Sequence, residues 1–463
     1  MSGIFGVITK KEDCMRDLFY VGDYHSHLGT NFGGIALYGK GLTRRIHNIT
    51  NSQFKSKLSE EYKTLKGNKG IGTINYEEQP IYVKSKFGDF CIVSNGWVNN
   101  WRELAEELYE KGDSFSEISD KRVNICELVS KLIIQKETLV DGINYMFSRI
   151  KGSISLLILN KQGIYAVRDS LGISSLTIGQ RDNAWVIVSE TTALPNLDFK
   201  VKKYLAPGEI VFIDKNGLKQ KQEGRSCSKI CTFLWIYTGF PASSYEGINA
   251  EIVRERCGKC LAENDDINPD LVCGVPDSGT AHALGYAMEK KVPYRRPLVK
   301  YTPGYGRSYL PSSQNERNFV AKMKLIPIKE IIEGKKIVLC EDSIVRGTQL
   351  KSHTIQKLKE NNAKEVHIRV ACPPLMFPCK YNYSTRSKKE LVSMRAIKAI
   401  EKKEVKDVRA YVDDKSSKYK NMVEWIKKDI GATSLKYQTL EDMVKSVGLP
   451  KEKLCLYCWR GTI

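Results

Sequence analysis

The chain has 463 residues, of which 41% are hydrophobic and 27% are charged, and its formal net charge is +20. This length is too great for one ordinary core, so we expect two domains of about 200 residues each. No apolar run approaches the roughly 20 residues that span a bilayer, and residues 1–6 lack the basic and apolar segments of a signal peptide. We therefore expect a cytoplasmic protein that does not act in a membrane.

The positive charge predicts an anionic partner, such as nucleic acid or a phosphorylated small substrate, although a solvated lysine-rich surface would have the same composition. The basic residues are spread along the chain, and no stripe of aromatic residues interleaves with them. A platform for single-stranded nucleic acid would need that stripe, so the pattern argues against nucleic acid. Thirteen cysteines in a chain without a secretion signal also argue against a disulfide framework.

The first half of the chain predicts short strands, turns and two helices. Residues 70–76 alternate like a strand, and residues 90–94 form a second strand before a turn at Asn95 and Gly96. Apolar residues three and four positions apart predict helices. Those helices cover residues 101–111 and 123–135, and buried strands are expected at residues 153–159 and 185–189.

The second half alternates between strands and helices, which is typical of a parallel sheet covered by helices. The predicted strands are residues 271–275, 336–340 and 365–371, and the predicted helices are residues 250–262, 280–290 and 350–361. A polar stretch at residues 221–226 marks the boundary. We therefore expect an α/β protein with one domain at residues 1–225 and another at residues 226–463.

Two acidic residues, Glu341 and Asp342, follow the strand at residues 336–340 and precede the helix at residues 350–361. Open parallel sheets bind ligands at the carboxyl ends of their strands, and a loop that enters a helix offers backbone N–H groups to a phosphate. Adjacent carboxylates suit the vicinal hydroxyls of a ribose. A charged loop without a ligand, or acids that hold Mg²⁺ for a nucleotide, would fit the same residues, but Walker A spacing is absent.

A second loop of similar character follows the strand at residues 271–275. It consists of Pro276, Asp277, Ser278 and Gly279 and leads into the helix at residues 280–290. A short polar turn of this kind could receive a pyrophosphate, although by itself it is a weak signal.

With these motifs together, the chain resembles the amidophosphoribosyltransferase family, whose members transfer a phosphoribosyl group from phosphoribosyl pyrophosphate (PRPP). Residues 274–279 resemble the family's pyrophosphate loop, and residues 341–348 resemble its PRPP motif, with Glu341 where an aspartate is usual. The resemblance covers nearly the whole chain. It implies substrate contacts from Pro276, Asp277, Ser278, Gly279, Lys300, Arg307, Glu341, Asp342, Ser343, Val345, Arg346, Gly347 and Thr348.

The resemblance also implies cofactors. Ser278, Glu341 and Asp342 fall where the family coordinates Mg²⁺. Lys300 and the segment 306–309, which contains Arg307, resemble a loop that closes over the substrate. Closure excludes water, which would otherwise hydrolyse the reactive sugar.

The cysteines allow two metal hypotheses. The spacing of Cys455 and Cys458, together with Cys257 and Cys260, would suit zinc, but the latter pair lies in a predicted helix. Some family members carry a [4Fe–4S] cluster on four thiolates. The resemblance assigns that cluster to Cys231, Cys379, Cys455 and Cys458, and four unconnected buried cysteines remain the alternative.

The resemblance implies that residues 1–225 form a class II glutamine amidotransferase-like αββα sandwich of the N-terminal-nucleophile type, before a type I phosphoribosyltransferase domain. Ser2 stands where the family has a cysteine nucleophile, and a hydroxyl is less nucleophilic than a thiol. Asn95 and Gly96 match the oxyanion-hole pair, and Asp120 matches the acid that holds the amine of glutamine.

Several other family positions have changed. Leu28 and Asn75 replace arginines, and Ser174 and Ser175 replace an Arg-Pro pair. Loss of an arginine–carboxylate contact removes a strong charge-assisted interaction. These combined losses favour a natural paralog with an inactive or repurposed glutaminase over an active enzyme with one engineered change.

We therefore expect phosphoribosyl transfer from PRPP to ammonia or another small amine, as in the first step of purine biosynthesis. One alternative is a non-catalytic regulatory paralog that binds PRPP or nucleotides. Another is a glutamine-dependent enzyme that uses Ser2 or carries an inactivating Cys-to-Ser change. The expected partners are PRPP, a small amine, possible nucleotide regulators and further copies of this chain, without nucleic acid or membrane.

Overall fold

The computed structural model describes residues 2–10, 13–28, 31–119, 122–301, 323, 325–384 and 387–463. It divides into two compact units. Unit 1 comprises Met1–Cys231, Ala242–Gly247 and Lys380–Ser384, and unit 2 comprises Thr232–Pro241, Ile248–Cys379 and Thr385–Ile463. No helix in these described ranges is long and apolar enough to cross a membrane.

Unit 1 is built on two antiparallel sheets. In spatial order, the seven-stranded sheet contains Lys200–Tyr204, Thr177–Arg181, Ala184–Val188, Gly3–Thr9, Lys69–Asn75, Phe32–Tyr38 and Leu42–Asn48. The six-stranded sheet contains Gly217–Gln222, Ile210–Asp214, Ile164–Val167, Gly152–Asn160, Gly88–Val98 and Ile81–Ser85. Short strands Ile118–Ser119 and Arg122–Val123 form a separate pair.

The helices of unit 1 cover the outer faces of these sheets. The α-helices are Met15–His25, Phe54–Lys57, Ser59–Thr64, Trp101–Glu110, Ile125–Ile133 and Leu139–Arg149, and the 3₁₀ turns are Ser26–Leu28, Thr191–Ala193 and Pro195–Leu197. Two further short strands are Ile230–Cys231 and Ser244–Tyr245.

The alternation of side chains along each strand explains how the sheets and helices of unit 1 form layers. In the strand Gly3–Thr9, Ile4 and Ile8 belong to the core between the sheets, whereas Phe5 and Val7 face the core that includes Leu18 of the first helix. The strand Gly88–Val98 behaves in the same way, with Cys91 and Val93 between the sheets and Phe90 and Ile92 packed with residues of the other helices. Because both faces of each sheet bury alternate side chains, unit 1 is an αββα sandwich.

Unit 2 contains a parallel four-stranded sheet in the order Leu271–Gly274, Lys336–Glu341, Glu365–Val370 and Ser434–Tyr437. Its helices are Ala250–Glu263, Thr280–Lys290, Lys329–Ile332, Gln356–Glu360, Val392–Glu401, Ser417–Ile430, Leu440–Val447 and Tyr457–Arg460. The π-helical segments are Leu234–Thr238 and Leu350–Ile355, and the 3₁₀ turns are Lys388–Glu390, Arg409–Tyr411 and Lys451–Lys453. The remaining strands are Ile248–Asn249, Leu298–Lys300, Leu325–Pro327 and Leu454–Cys455.

Capping residues define the ends of several helices in unit 2. The side chains of Asn249, Ser416 and Thr439 each accept a backbone N–H in the first turn of the following helix. Gly431 and Gly448 end two of these helices in the left-handed conformation, which glycine adopts without a steric penalty.

Most predicted elements are confirmed within two residues, but the turn at Asn95 and Gly96 is wrong. The strand Gly88–Val98 continues through both residues, and Gly96 pairs with Ile154 of the neighbouring strand. The long pairing with Gly152–Asn160 outweighs the local turn preference of an Asn-Gly pair. The predicted helix at residues 350–361 also begins as the π-helical segment Leu350–Ile355 rather than as an α-helix.

Candidate functional site

The two loops predicted to bind PRPP lie together in unit 2. The strands that precede them are parallel neighbours, with Gly274 opposite Cys340, so both loops leave the same edge of the sheet. The N–H of Val275 donates to the carbonyl of Cys340 at 3.0 Å. A Cβ atom on Gly279 would overlap that same carbonyl, so a larger residue would force the loops apart.

Glu341 and Asp342 form an acidic pair beside the loop of residues 276–279. The hydroxyl of Ser278 donates to Glu341 at 3.5 Å, and the hydroxyl of Ser343 donates to Asp342 at 2.6 Å. Burial raises the pKa of Asp342, and burial together with the charge of Asp342 raises the pKa of Glu341 well above its usual value. Asp342 is buried and Glu341 is partly buried, and two adjacent carboxyl groups with raised pKa values are stabilised in their ionised form by a bound cation.

The segment from Ser343 to Thr348 is held by residues that follow it in the chain. The N–H of Val392 donates to the carbonyl of Val345 at 2.8 Å, and Arg395 donates to the carbonyl of Arg346 at 2.7 Å. The guanidinium of Arg346 lies 2.7 Å from Glu390. Gly347 has a φ of 77°, a left-handed conformation that favours glycine.

Lys300 reaches the loop of residues 276–279, where its ammonium lies 2.6 Å from the carboxylate of Asp277. The peptide bond between Pro276 and Asp277 is cis. Arg307, the other basic residue predicted to close over the substrate, lies outside the described residues, as does the rest of segment 306–309.

The predicted cluster cysteines occupy different environments. Cys231 and Cys455 are buried, whereas Cys379 and Cys458 are partly exposed. Two backbone N–H groups, of Met376 and Phe377, donate to the carbonyl of Cys458 at 2.9 and 3.0 Å. Within the described ranges, no group of three or more His, Cys, Asp or Glu side chains is arranged to hold a metal ion.

Ser2 lies at the start of the first strand of unit 1, and its surface is almost completely buried. Its hydroxyl donates to the side-chain oxygen of Asn95 at 2.7 Å. Gly96 follows with a φ of 133°, and a Cβ atom there would overlap the carbonyl of Ser153. The structure therefore brings Ser2 and the Asn95–Gly96 pair together, as the sequence predicts.

Asn75 and Leu28, where the family resemblance implies arginines, have side chains that pack inside unit 1. The amide of Asn75 donates to the carbonyl of Ser94 at 2.9 Å, and its oxygen accepts the N–H of Tyr76 at 2.8 Å. The side chain of Leu28 packs beside Gly3, where it would meet an added Cβ atom. Neither residue offers a cation to a substrate carboxylate. Asp120, the predicted partner of the substrate amine, lies outside the described residues.

Ser174 and Ser175, where the family resemblance implies an Arg-Pro pair, are both buried. The N–H of Ser174 donates to the carboxylate of Asp169 at 3.0 Å, and its carbonyl accepts from Arg168 at 2.8 Å. This turn is therefore part of the internal hydrogen-bond network of unit 1.

An aromatic group adjoins Asn75 and was not predicted. The rings of Tyr76 and Tyr383 stack with their centroids 3.8 Å apart, and the ring of Trp97 lies beside them. The guanidinium of Arg122 sits over these rings and 3.0 Å from Glu77. Tyr383 is about 300 residues from its stacking partner, so no local pattern could have identified the group.

A second unpredicted group surrounds Glu190, which is buried. His27 lies 2.7 Å from one of its oxygens, and Tyr245 donates to the other at 2.5 Å. Burial lowers the pKa of the nearby His25 to about 4, and its Nδ1 donates to the carbonyl of Val21 at 2.8 Å. Because the ring nitrogens of His25 and His27 already have partners, this group stabilises unit 1 rather than supplying a free base.

Known proteins are similar to this chain over its whole length. Residues 70–196 match the family described as a glutamine amidotransferase domain. The amidophosphoribosyltransferase of Methanocaldococcus jannaschii is 32% identical to this chain over 100% of the chain and 97% of the relative. The chain belongs to the amidophosphoribosyltransferase family. The Bacillus subtilis member is 29% identical over 99% of this chain and 93% of the relative.

A solved structure supports this membership. It is the glutamine PRPP amidotransferase from B. subtilis complexed with ADP and GMP, and it matches with a TM-score of 0.84 and 28% identity. The match covers 99% of this chain and 96% of the other. The predicted fold, a class II glutamine amidotransferase-like sandwich followed by a phosphoribosyltransferase domain, is confirmed.

Proposed function

We propose that this amidophosphoribosyltransferase family member transfers the phosphoribosyl group of PRPP to ammonia or another small amine, as in the first step of purine biosynthesis. It would thus be a glycosyltransferase. The observation that carries this proposal is the acidic pair of partly buried Glu341 and buried Asp342 on the same sheet edge as the loop of residues 276–279. A short polar loop with a lysine beside it suits a pyrophosphate, and the acids suit a ribose.

The side chains and backbone around this edge have complementary roles in the proposal. Pro276, Asp277, Ser278 and Gly279 would receive the pyrophosphate, with Lys300 and Arg307 above it. Glu341 and Asp342 would bind the ribose hydroxyls. Ser343, Val345, Arg346, Gly347 and Thr348 would bind the remaining phosphate, because this segment presents backbone N–H groups at the entry to the helical residues 350–360.

Mg²⁺ fits the chemistry of this site. Ser278, Glu341 and Asp342 supply hard oxygen donors, and a cation would offset the cost of ionising two buried acids. Mg²⁺ usually binds through one or two carboxylates and completes its shell with water and substrate phosphates. When bound, it would neutralise charge on the phosphates.

The reaction itself requires positioning and exclusion of water. The amine nitrogen would form a bond to C1 of the ribose while the bond from C1 to the pyrophosphate oxygen breaks, and the amine would lose a proton to solvent. The lysine and backbone donors would offset the negative charge that develops on the leaving group. Closure of the 306–309 segment would keep water from the reactive carbon.

We propose that residues 1–225 form a glutamine amidotransferase type 2-like domain without glutaminase activity, and that residues 226–463 carry the transferase. Asn75 and Leu28 support this proposal because neither provides a positive charge for the carboxylate of glutamine. The hydroxyl of Ser2 donates to Asn95, so the proposed nucleophile lies beside the proposed oxyanion pair of Asn95 and Gly96, but a nucleophile without a held substrate is a poor catalyst.

We also propose, from the family resemblance, that a [4Fe–4S] cluster is bound by Cys231, Cys379, Cys455 and Cys458. Two hydrogen bonds hold the segment before Cys379 against Cys458, and the hydroxyl of Thr232, the residue after Cys231, donates to the carbonyl of Cys455 at 3.0 Å. Nucleotide regulators and assembly into a homo-oligomer are further proposals from the family.

The test is a product screen with the purified full chain, PRPP and Mg²⁺. Pyrophosphate release would be measured with ammonia, with glutamine, with a panel of small amines and with no amine, and mass spectrometry would identify the product. We expect release and a phosphoribosylamine with ammonia but no increase with glutamine. Tight PRPP binding without turnover for any amine would instead support a non-catalytic regulatory paralog. Turnover with glutamine would support a glutamine-dependent enzyme.

A further inference from the structure

A cavity of about 460 Å³ opens in unit 1 at the end of the sandwich away from Ser2. It is lined by Ile8, Asn68, Lys69, Lys161, Gln162, Asp214, Lys215 and Asn216. Ser2 precedes the strand Gly3–Thr9 and Ile8 lies near its other end, which places the cavity about 20 Å along the strand from Ser2. The cavity is therefore separate from the Ser2 site.

Three lysines line this cavity without a matching set of acids. Lys69, Lys161 and Lys215 all line it, and none of them forms an ion pair with a described residue. Asp214 is the acid among the lining residues, and its carboxylate is already bound by Lys219 at 2.8 Å and by the N–H of Asn216 at 2.7 Å. The cavity thus carries an excess of positive charge.

The burial of Lys69 shows that the positive charge of this cavity is energetically unfavourable without an anion. Nine-tenths of its surface is buried, and its ammonium lies 4.8 Å from the centre of the Tyr38 ring. Burial, and to a smaller degree the charge of Lys215, lowers the pKa of Lys69. A buried charge needs a partner to offset its lost hydration, and a cation–π contact offsets only part of that loss. A bound anion would supply the partner.

We propose that this cavity binds a phosphate-bearing small molecule, with Lys69 at its base and Lys161 and Lys215 at its rim. Ammonium groups act as point charges that suit a tetrahedral phosphate, whereas planar carboxylates are matched best by arginine, which is absent from the lining residues. The amides of Asn68, Gln162 and Asn216 can contact polar groups of the ligand. The volume lies within the range of ordinary small-molecule pockets.

The first test compares thermal unfolding of the full chain in inorganic phosphate, in ribose 5-phosphate, and in chloride or citrate at the same ionic strength. The key variant is Lys161→Gln/Lys215→Gln. Its control is Lys200→Gln/Lys202→Gln, which changes two exposed lysines of the same unit and removes the same charge. Both variants retain the acidic site of unit 2, so phosphate bound there contributes equally and the difference reports on the cavity.

We expect a phosphate compound at ten times its dissociation constant to raise Tm by about 3 °C in the wild type and the control variant, and that increment to be lost in Lys161→Gln/Lys215→Gln. The stronger responder identifies the source, free phosphate or a phosphate ester. Equal increments in both variants would overturn the proposal, as would an equal response to chloride or citrate, since that would reflect charge screening or carboxylate binding.

The second test reads the cavity directly through lysine acetylation and mass spectrometry. Acetylation of Lys69 and Lys215 should slow about tenfold when the effective phosphate compound is present at ten times its dissociation constant, by simple occupancy. Acetylation of Lys200 and Lys202 should not change. Identical rates at Lys69 and Lys215 with and without the compound would overturn the proposal even if the protein were stabilised.

Discussion

The ammonium of Lys300 lies 2.6 Å from the carboxylate of Asp277, on the loop proposed to receive pyrophosphate. Asp277 is largely exposed and Lys300 is partly exposed, and such pairs contribute about 0–1 kcal/mol to stability. A pyrophosphate would offer Lys300 a higher negative charge than one carboxylate does. The pair therefore holds the lysine near the loop at little cost to substrate binding.

This arrangement leads to a prediction for Lys300→Gln. We expect PRPP affinity to fall about tenfold to a hundredfold, because a charge-assisted contact contributes about 1.5–3 kcal/mol, and we expect Tm to change little. Calorimetric titration with PRPP measures the effect. Lys335→Gln, which changes another exposed lysine of unit 2, is the control. Equal affinities for the two variants would remove Lys300 from the proposed site.

Asp342→Asn should weaken PRPP binding to a similar extent, about tenfold to a hundredfold, through loss of a buried charge-assisted contact. Its effect on stability should have the opposite sign from that of an ordinary core substitution. Burial raises the pKa of Asp342, and its charge raises that of Glu341, so the amide relieves repulsion and Tm should stay constant or rise. Unchanged PRPP affinity, with Glu330→Gln as the reference for an exposed acid, would contradict the site assignment.

The same pair predicts how stability depends on pH and on Mg²⁺. Because both pKa values are raised in the folded state, their stabilising contribution is complete below the unfolded pKa of about 4 and is lost as pH rises through the folded values. Without Mg²⁺, Tm should therefore fall more steeply above pH 4 in the wild type than in Glu341→Gln/Asp342→Asn. Mg²⁺ should restore Tm at neutral pH in the wild type alone. Parallel pH profiles and equal Mg²⁺ effects would contradict this prediction.

The positions of the two loops proposed to bind PRPP were predictable because each is a contiguous motif between a strand and a helix. Glu341 and Asp342 follow a strand, and their sequence neighbours enter a helix, so local order alone placed them at a sheet edge. The contacts that hold this loop were not predictable. Val392 and Arg395 come from a helix that begins more than 40 residues later, and nothing in their local sequence identifies the carbonyls they bind.

In unit 1, too, local sequence did not predict contacts between residues that are far apart in the chain. The alternation predicted individual strands and the family resemblance implied the sandwich, but Asn95 and Gly96 were predicted as a turn and instead continue the strand Gly88–Val98. Tertiary pairing overrides a local preference when a long partner strand is available. The contact between Tyr76 and Tyr383 joins distant parts of the sequence, so only the folded structure reveals it.

Anaerobically purified protein should be brown and contain about four irons per chain, as expected for one four-iron cluster. Cys455→Ser should lose the colour and lower Tm, because Cys455 is one of the four proposed ligands. Cys227→Ser, at an exposed cysteine outside the proposed set, should keep both the iron and the colour. Elemental analysis and the visible absorption spectrum provide the measurements. Zinc without iron would support a structural zinc site instead.

The last prediction concerns Ser2 and separates an inactive glutaminase domain from an ordinary one with a single inactivating change. Ser2→Cys restores a thiol beside Asn95, whose side chain already accepts the hydroxyl of Ser2 at 2.7 Å. A thiol is a better nucleophile near neutral pH, so the chemistry at this position improves. Substrate binding does not, because Asn75 remains bonded to the carbonyl of Ser94 and brings no positive charge.

We therefore expect no detectable glutamate from glutamine with the wild type or with Ser2→Cys, whether or not PRPP is present. Catalysis needs the nucleophile and a positioned substrate together, and an arginine–carboxylate pair, which neither Asn75 nor Leu28 can form, is among the strongest contacts available for positioning. A glutaminase assay on both proteins, after mass spectrometry has shown whether Met1 is removed from each, is the measurement. Robust glutamate release by Ser2→Cys would mean that other residues still hold glutamine and that the serine alone silences this domain.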